Sequence, residues 1–433
     1  GALTNTLVND QEFTSAMAKH LFTITEAYVD YRPNARLRLR GRHFVARAAD
    51  TIPPAELARI DALTSTSIGL AAVDSLRAAD LMGQALLRAL RVGEPGRVAV
   101  CLGFETAFSG NLGGAGETRT RQLMAEADEV SAALGQPYAR ACALGGTGIA
   151  LFHLGYLAES QARCAEATAL FTRCPGAVKE QFTIQLFALA GLAQMGNFAE
   201  LGRRLGGYLR LATERGDRYA EANLRAGLPN LVWLAVDDEP VTLKLLVHHL
   251  GREAELARAG LETTGYSVQH FFHLLCRFHI ELYAGAGAAA RQVLAEGLPA
   301  LERSLLSRTE WIAVAIAWMR GRALLLAGAS GKAVLREAEA MEKRKRPWAE
   351  ALALSLRAGE RRAAGADPSA LLERAVGRCE EAGLELHAHC GRLVTARLRG
   401  DAGAEASARA AAAGLGVKSV DRMARLYFPG LVP

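Results

Sequence analysis

One feature restricts this chain more than any other: glycines recur between amphipathic helical stretches at a spacing of roughly 35–47 residues. "HLGYLAESQARCAEATALF" (153–171) ends one apolar helix, turns at Gly155 and starts a second. The form recurs at Gly196, Gly285, Gly328, Gly365 and Gly400, and "VDDEP" (236–240) fills the gap between Gly196 and Gly285. A second marker runs in phase with the first. "VGEPGRVAV" (92–100), "LGQPYARACAL" (134–144) and "RGDRYAEANL" (215–224) each place Gly at a helix end, then Pro or a polar residue at the next start. Gly at the C-terminus and Pro in the first turn follow from backbone geometry. Together the markers spell helix A, corner, helix B, loop, next helix A. A period of this size is that of stacked helical hairpins.

Composition agrees. Half of the 433 residues are hydrophobic but only 6% are aromatic, and the apolar mass is mostly Ala and Leu, which favours helix over sheet. The longest apolar run, "WIAVAIAWM" (311–319), is far too short to span a bilayer, and the first thirty residues carry no secretory pattern. Gly1 in place of Met points to a trimmed chain. The seven cysteines form no CxxC pair and no framework, which fits reduced, buried thiols and a cytoplasmic setting. The net charge of +6 is carried almost wholly by Arg. Its patches lack interleaved aromatics, so neither nucleic acid nor a membrane is expected as a partner.

Two glycine-rich stretches ask whether the chain cradles phosphate. "CALGGTGIALFHLGYLAE" (142–159) holds Gly145, Gly146 and Gly148, but no Lys or Ser/Thr follows in register and no strand precedes. Gly148 falls inside a helix A, seven residues before the corner, where small residues let a helix B pack closely and Ala167 answers from that helix. "GNLGGAGETRTR" (110–121) reads as a long corner loop, with an anion site at the following helix N-terminus as the alternative.

The repeats resemble degenerate tetratricopeptide repeats, in the form found in the C-terminal region of large bacterial eukaryotic-like serine/threonine protein kinases. The matching stretches are "IPPAELARIDALTSTSIGLAAVDSLRAAD" (52–80), "LLRALRVGEPGRVAVCLGFETAF" (86–108), "GDRYAEANLRAGLPNLVWLAVDD" (216–238), "GYSVQHFFHLLCRFHIELYAG" (265–285) and "DRMARLYFPGL" (421–431). The resemblance covers about residues 32–431. It implies a regulatory role beside a kinase and an ATP-binding module. The chain itself has no HRD, DFG, VAIK or Gly-rich kinase loop, no GxSxG and no HExxH, so an enzyme is not expected.

The expected fold is therefore all-α, a right-handed solenoid of about nine tetratricopeptide-like hairpins. Residues 1–31 are a poorly matched segment with one or two helical turns, 32–415 form the array, with 32–50 as an opening helix, and 416–433 form a closing helix and tail. Helices A line the concave face, where a partner commonly binds. The segment around 219–233 places Tyr219, Asn223, Arg225, Asn230 and Trp233 on such a helix, with Pro229 breaking it. Gln269, His270 and His273 lie on the next helix A. Asn and Arg there are suited to gripping a peptide backbone or carboxylate.

His270, His273, Cys276 and His279 step by three, too far round a helix to converge on one ion, so no metal or other cofactor is expected. His387 and His389 point to different faces. Arg32, Arg36 and Arg40, flanked by Arg38 and Arg42, make a basic stripe offering anion contacts. "EKRKRP" (342–347) reads as a solvated turn closing a helix B. Two functions remain. The first is an interaction module that binds a protein or peptide, or its own upstream kinase and ATP-binding parts. The second is a sensor whose superhelix encloses a pocket for a small molecule or signal peptide.

Overall fold

The computed structural model describes residue 37 and residues 40–71, 74–238, 266–329 and 331–432, except for the side chains of residues 218, 219, 222, 226 and 305. Among these residues every regular element is a helix. The first group is α1 (Pro54–Leu70), α2 (Ser75–Val92), α3 (Pro95–Gly110), α4 (Glu117–Leu134), α5 (Pro137–Leu154) and α6 (Leu157–Phe171). The second is α7 (Val178–Met195), α8 (Phe198–Glu214), α9 (Arg218–Ala226), α10 (Leu231–Ala235), α11 (Val268–Ala284) and α12 (Gly287–Arg303). The third is α13 (Glu310–Leu326), α14 (Gly331–Glu342), α15 (Pro347–Ala363), α16 (Ser369–Glu381), α17 (Glu385–Arg399), α18 (Ala402–Gly414) and α19 (Val420–Tyr427). Helices adjacent in sequence are packed against each other along the chain, the arrangement of an α solenoid. None is long and apolar enough to cross a membrane.

The corners form as their glycines require. Gly155, Gly196, Gly285, Gly328, Gly365 and Gly400 all have φ between 62° and 86°, which side chains with a Cβ rarely adopt. The corner at 236–240 has no glycine at its turn. Asp237 takes the positive φ (57°) instead, and its carboxylate is held by Tyr283 Oη and Arg422 Nη1, each at 2.7 Å. The second marker holds as well. Gly93 and Gly135 end helices in the left-handed region, Pro95 and Pro137 open the next ones, and Asp217 caps α9 by accepting from the Ala220 N–H.

Inner and outer helices differ in how much they bury. The outer α4 buries one stripe (Thr120, Leu123, Ala127 and Ser131), and α6 buries Leu157, Ser160, Cys164, Ala167 and Phe171. The inner α3 and α5 are buried nearly all round because neighbours sit on both sides. This is where the glycine cluster belongs. Ser160 Oγ donates to the Gly148 carbonyl at 2.7 Å, so α6 lies directly on α5. Gly146 faces the preceding inner helix, and a Cβ placed there would stand 1.9 Å from the Gly103 carbonyl oxygen of α3. The cluster brings helices together backbone to backbone.

The chain also returns on itself. Glu310, at the start of α13, is 6% exposed and its carboxylate accepts from the Gly114 N–H at 3.2 Å. Arg346, also 6% exposed, reaches Glu117 at 2.6 Å and lies 3.6 Å from Glu310. Further along, the Ala199 N–H donates to the Leu415 carbonyl at 2.8 Å, the Lys418 N–H to the Ala235 carbonyl at 2.8 Å, and Arg422 pairs with Asp237. The side-chain links join residues 185 to 229 positions apart, so later hairpins lie on earlier ones.

Three expectations need correction. The opening helix does not run through 32–50: Gly41 turns at φ 72° and residues 42–48 are non-helical. The "EKRKRP" stretch is not simply a solvated turn, because its Arg346 is buried in the contact just described. The anion site of the 110–121 loop is filled from within the chain, by the Glu310 carboxylate.

Candidate functional site

The inner helices converge on an apolar cavity of about 200 Å³. Its wall takes Phe104 and Phe108 from α3, Ile149, Phe152 and His153 from α5, and Phe182, Leu186 and Phe187 from α7. The break between α9 and α10 supplies Asn223, Gly227, Leu228 and Pro229, and the later hairpins supply Phe272, Thr309, Trp311 and Ile312. Six of the chain's 14 phenylalanines line this one space, so it is built from a residue type that the chain uses sparingly. Cavities of this kind, apolar with a few polar groups, are the usual form of small-molecule sites.

The rings are ordered against each other. Phe152 and Phe187 meet edge to face with centroids 5.3 Å apart, and His153 meets Phe187 in the same way at 5.3 Å. Trp311 closes the far side, 6.2 Å from Phe152 and perpendicular to Phe271 at 5.6 Å. Its position follows from the Glu310 anchor next to it. The site therefore depends on the contact between early and late hairpins.

Among the described residues no carboxylate, lysine or arginine lines the cavity. The polar lining is Ser75, Asn111, His153, Thr183, Asn223 and Thr309. Burial lowers the His153 pKa to about 4, so the ring is neutral near pH 7. Its Nδ1 is enclosed with no hydrogen-bond partner among the described residues.

The structure distributes the residues expected on the concave face unevenly. Asn223 is 2% exposed and lines the cavity. Asn230 is buried and its amide donates to the Arg225 carbonyl, so it does not face a groove. Arg225 is ion-paired with Glu221 at 3.0 Å on its own helix. Trp233 packs its half-buried ring on the core. The Tyr219 side chain lies outside the described residues. His270 Nδ1 accepts from the Ser267 N–H at 3.1 Å and its ring stacks on Tyr266, which makes it a helix cap. His273 is buried and Gln269 is half-buried on the same helix. Pro229 does break its helix, and the break delivers Leu228 to the cavity wall.

Of the basic stripe, only Arg40 and Arg42 fall among the described residues, and both are engaged within the chain. Arg32 and Arg36 lie outside the described residues. Arg40 donates to the carbonyls of Gly41, His43 and Leu90, and Arg42 pairs with Glu126. Among the described residues no cluster of His, Cys, Asp or Glu is arranged to hold a metal ion. A larger cleft of about 470 Å³ lies between α14, α15 and α16, but Arg378 there is paired with Glu350 and Glu381, and Glu342 with Arg357.

The aromatic wall was missed from sequence. Phe104 and Phe108, at i and i+4 on an inner helix, were its visible trace, and the same holds for Phe182 and Phe187 one turn and a residue apart. No protein-family model matches the chain, and no curated protein matches it significantly.

Proposed function

We propose that this chain is a non-catalytic regulatory repeat domain that senses a small molecule in the cavity at its centre. The observation that carries this reading is the phenylalanine-lined space between early and late hairpins. A cavity of about 200 Å³ suits a compact ligand better than an extended peptide, and most of the polar residues that would have gripped a peptide are spent within the chain. A ligand touching both α3–α7 and α13 favours the state in which these parts are docked, and so acts on the whole array. The finer architecture is part of the proposal: a right-handed superhelix of about nine tetratricopeptide-like hairpins. The setting beside a bacterial serine/threonine kinase domain and a cytoplasmic location come from the resemblance and from the cysteine pattern.

The test is saturation-transfer NMR with toluene as the probe, on the wild type and on Leu186→Trp, which fills the cavity. Transfer to toluene in the wild type and its loss in the variant, with helicity retained, supports the reading. Equal transfer in both, or none in the wild type, refutes it.

A further inference from the structure

We infer that the cavity selects a compact, uncharged molecule carrying one hydrogen-bond acceptor, and that His153 is the residue that reads that acceptor. The inference rests on the sensor reading above and adds the ligand's chemistry.

Size comes first. A dry cavity of about 150 Å³ holds benzene. At about 200 Å³ this one takes a six-membered ring with a short substituent. Charge comes next. A carboxylate or ammonium placed among Phe104, Phe152, Phe187 and Trp311 would lose its hydration with no counter-ion among the described lining residues. The nearest charge at the mouth of α13, Glu310, is already held by Gly114 and Arg346. It would also repel an anion seeking that helix N-terminus. Ring faces alone offset only a small part of a cation's desolvation.

The remaining question is which polar group meets the ligand. Among the cavity's polar residues, Asn223 is engaged by other groups of the chain, Thr183 Oγ1 donates to the Lys179 carbonyl at 2.9 Å, and Ser75, Asn111 and Thr309 stand at helix ends, whereas His153 sits within the cluster of rings. His153 makes ring contacts with Phe152 and Phe187, and its enclosed Nδ1 has no hydrogen-bond partner among the described residues. A bare lone pair is tolerated in an enclosed position more readily than a bare N–H. The enclosed Nδ1 is thus the unprotonated nitrogen and Nε2 carries the hydrogen. The ring is a neutral donor on an aromatic wall. A ketone, ester, lactone or amide oxygen on a small ring system is the complementary group.

Two isosteres separate shape from hydrogen bonding. Acetophenone and α-methylstyrene differ in a carbonyl against a vinylidene group. Saturation-transfer titrations with both, and with benzoate and benzamidinium, are made on the wild type and on His153→Phe. The wild type is expected to bind acetophenone about 2- to 10-fold more tightly than α-methylstyrene, the range of one net hydrogen bond. His153→Phe is expected to erase that preference while still binding α-methylstyrene. Neither charged probe should bind comparably. A preference that survives in His153→Phe, no preference in the wild type, or tighter binding of a charged probe overturns the inference. The toluene result separates this from failure of the sensor reading: toluene bound with no acetophenone preference sinks only the ligand chemistry, whereas no toluene bound sinks both.

Discussion

Gly146 allows a prediction whose sign can be worked out in advance. Replacing a helical glycine with alanine ordinarily stabilises by about 1 kcal/mol, because less backbone freedom is lost on folding. At Gly146 the new methyl would sit 1.9 Å from the Gly103 carbonyl oxygen, 2.5 Å from its carbon and 3.1 Å from its Cα. Ordinary contact begins near 3.4 Å, so α3 and α5 must part by about 1.5 Å. No rotamer change relieves this, since both partners are backbone. Overpacking of this kind costs about 3 kcal/mol at its upper end. The helix-propensity gain offsets about 1 of that, so Gly146→Ala should destabilise by about 2 kcal/mol. Gly206, exposed on α8, is the control: a Cβ there meets nothing within 4 Å. Gly206→Ala should stabilise by about 0.5–1 kcal/mol. Urea unfolding followed by circular dichroism gives both numbers. A Gly146→Ala midpoint at or above that of the wild type would refute the claim that these helices meet backbone to backbone.

Other consequences can be measured on the same protein. Glu310→Ala removes the buried acceptor between Gly114 and Arg346 and should cost about 3 kcal/mol in urea unfolding, with Glu310→Gln costing less because it still accepts from Gly114. His387 stacks on Tyr427 at 3.8 Å, and burial, with Arg322 nearby, lowers its pKa to about 3. Its folded pKa lies below the unfolded value of 6.5, so its contribution is present above pH 6.5 and lost as the pH falls. Between pH 7 and pH 5 the loss should be about 2 kcal/mol, and His387→Phe should show correspondingly less acid sensitivity. Six of the seven cysteines are buried and only Cys174 is partly exposed, so a thiol reagent should label one site quickly in the native protein and the rest only on unfolding.

What the sequence disclosed and what it hid divide along a physical line. Hairpin corners are local. Gly155 or Gly400 needs only its own φ, and Pro95 or Pro137 needs only the turn beside it, so both could be read residue by residue. Ser160 against Gly148 involves neighbours twelve positions apart and was within reach of the repeat pattern. Glu310 and Gly114 are 196 positions apart, and nothing around "RTEW" distinguishes that glutamate from one in water. Arg346 was misread for the same reason: a basic cluster after a helix looks solvated until a distant acid arrives. The residues around 223–233 fall on α9, a short turn and α10, and whether each faces a groove or the core depends on how far the array curls, which no local pattern records.

That return contact has a consequence for how the fold can change. Repeat arrays are usually one-dimensional, each unit touching only its neighbours, so units can be added or deleted along the chain. Here, closing segments of roughly 200 residues costs about 5 kcal/mol of chain entropy before any contact is made. The contacts that offset this work only in one alignment of early on late hairpins. Deleting a single hairpin would shift Glu310, Leu415 and Arg422 away from Gly114, Ala199 and Asp237 together. The number of hairpins between the paired segments is thus fixed by geometry, and the array should gain or lose length at its ends far more readily than in its middle.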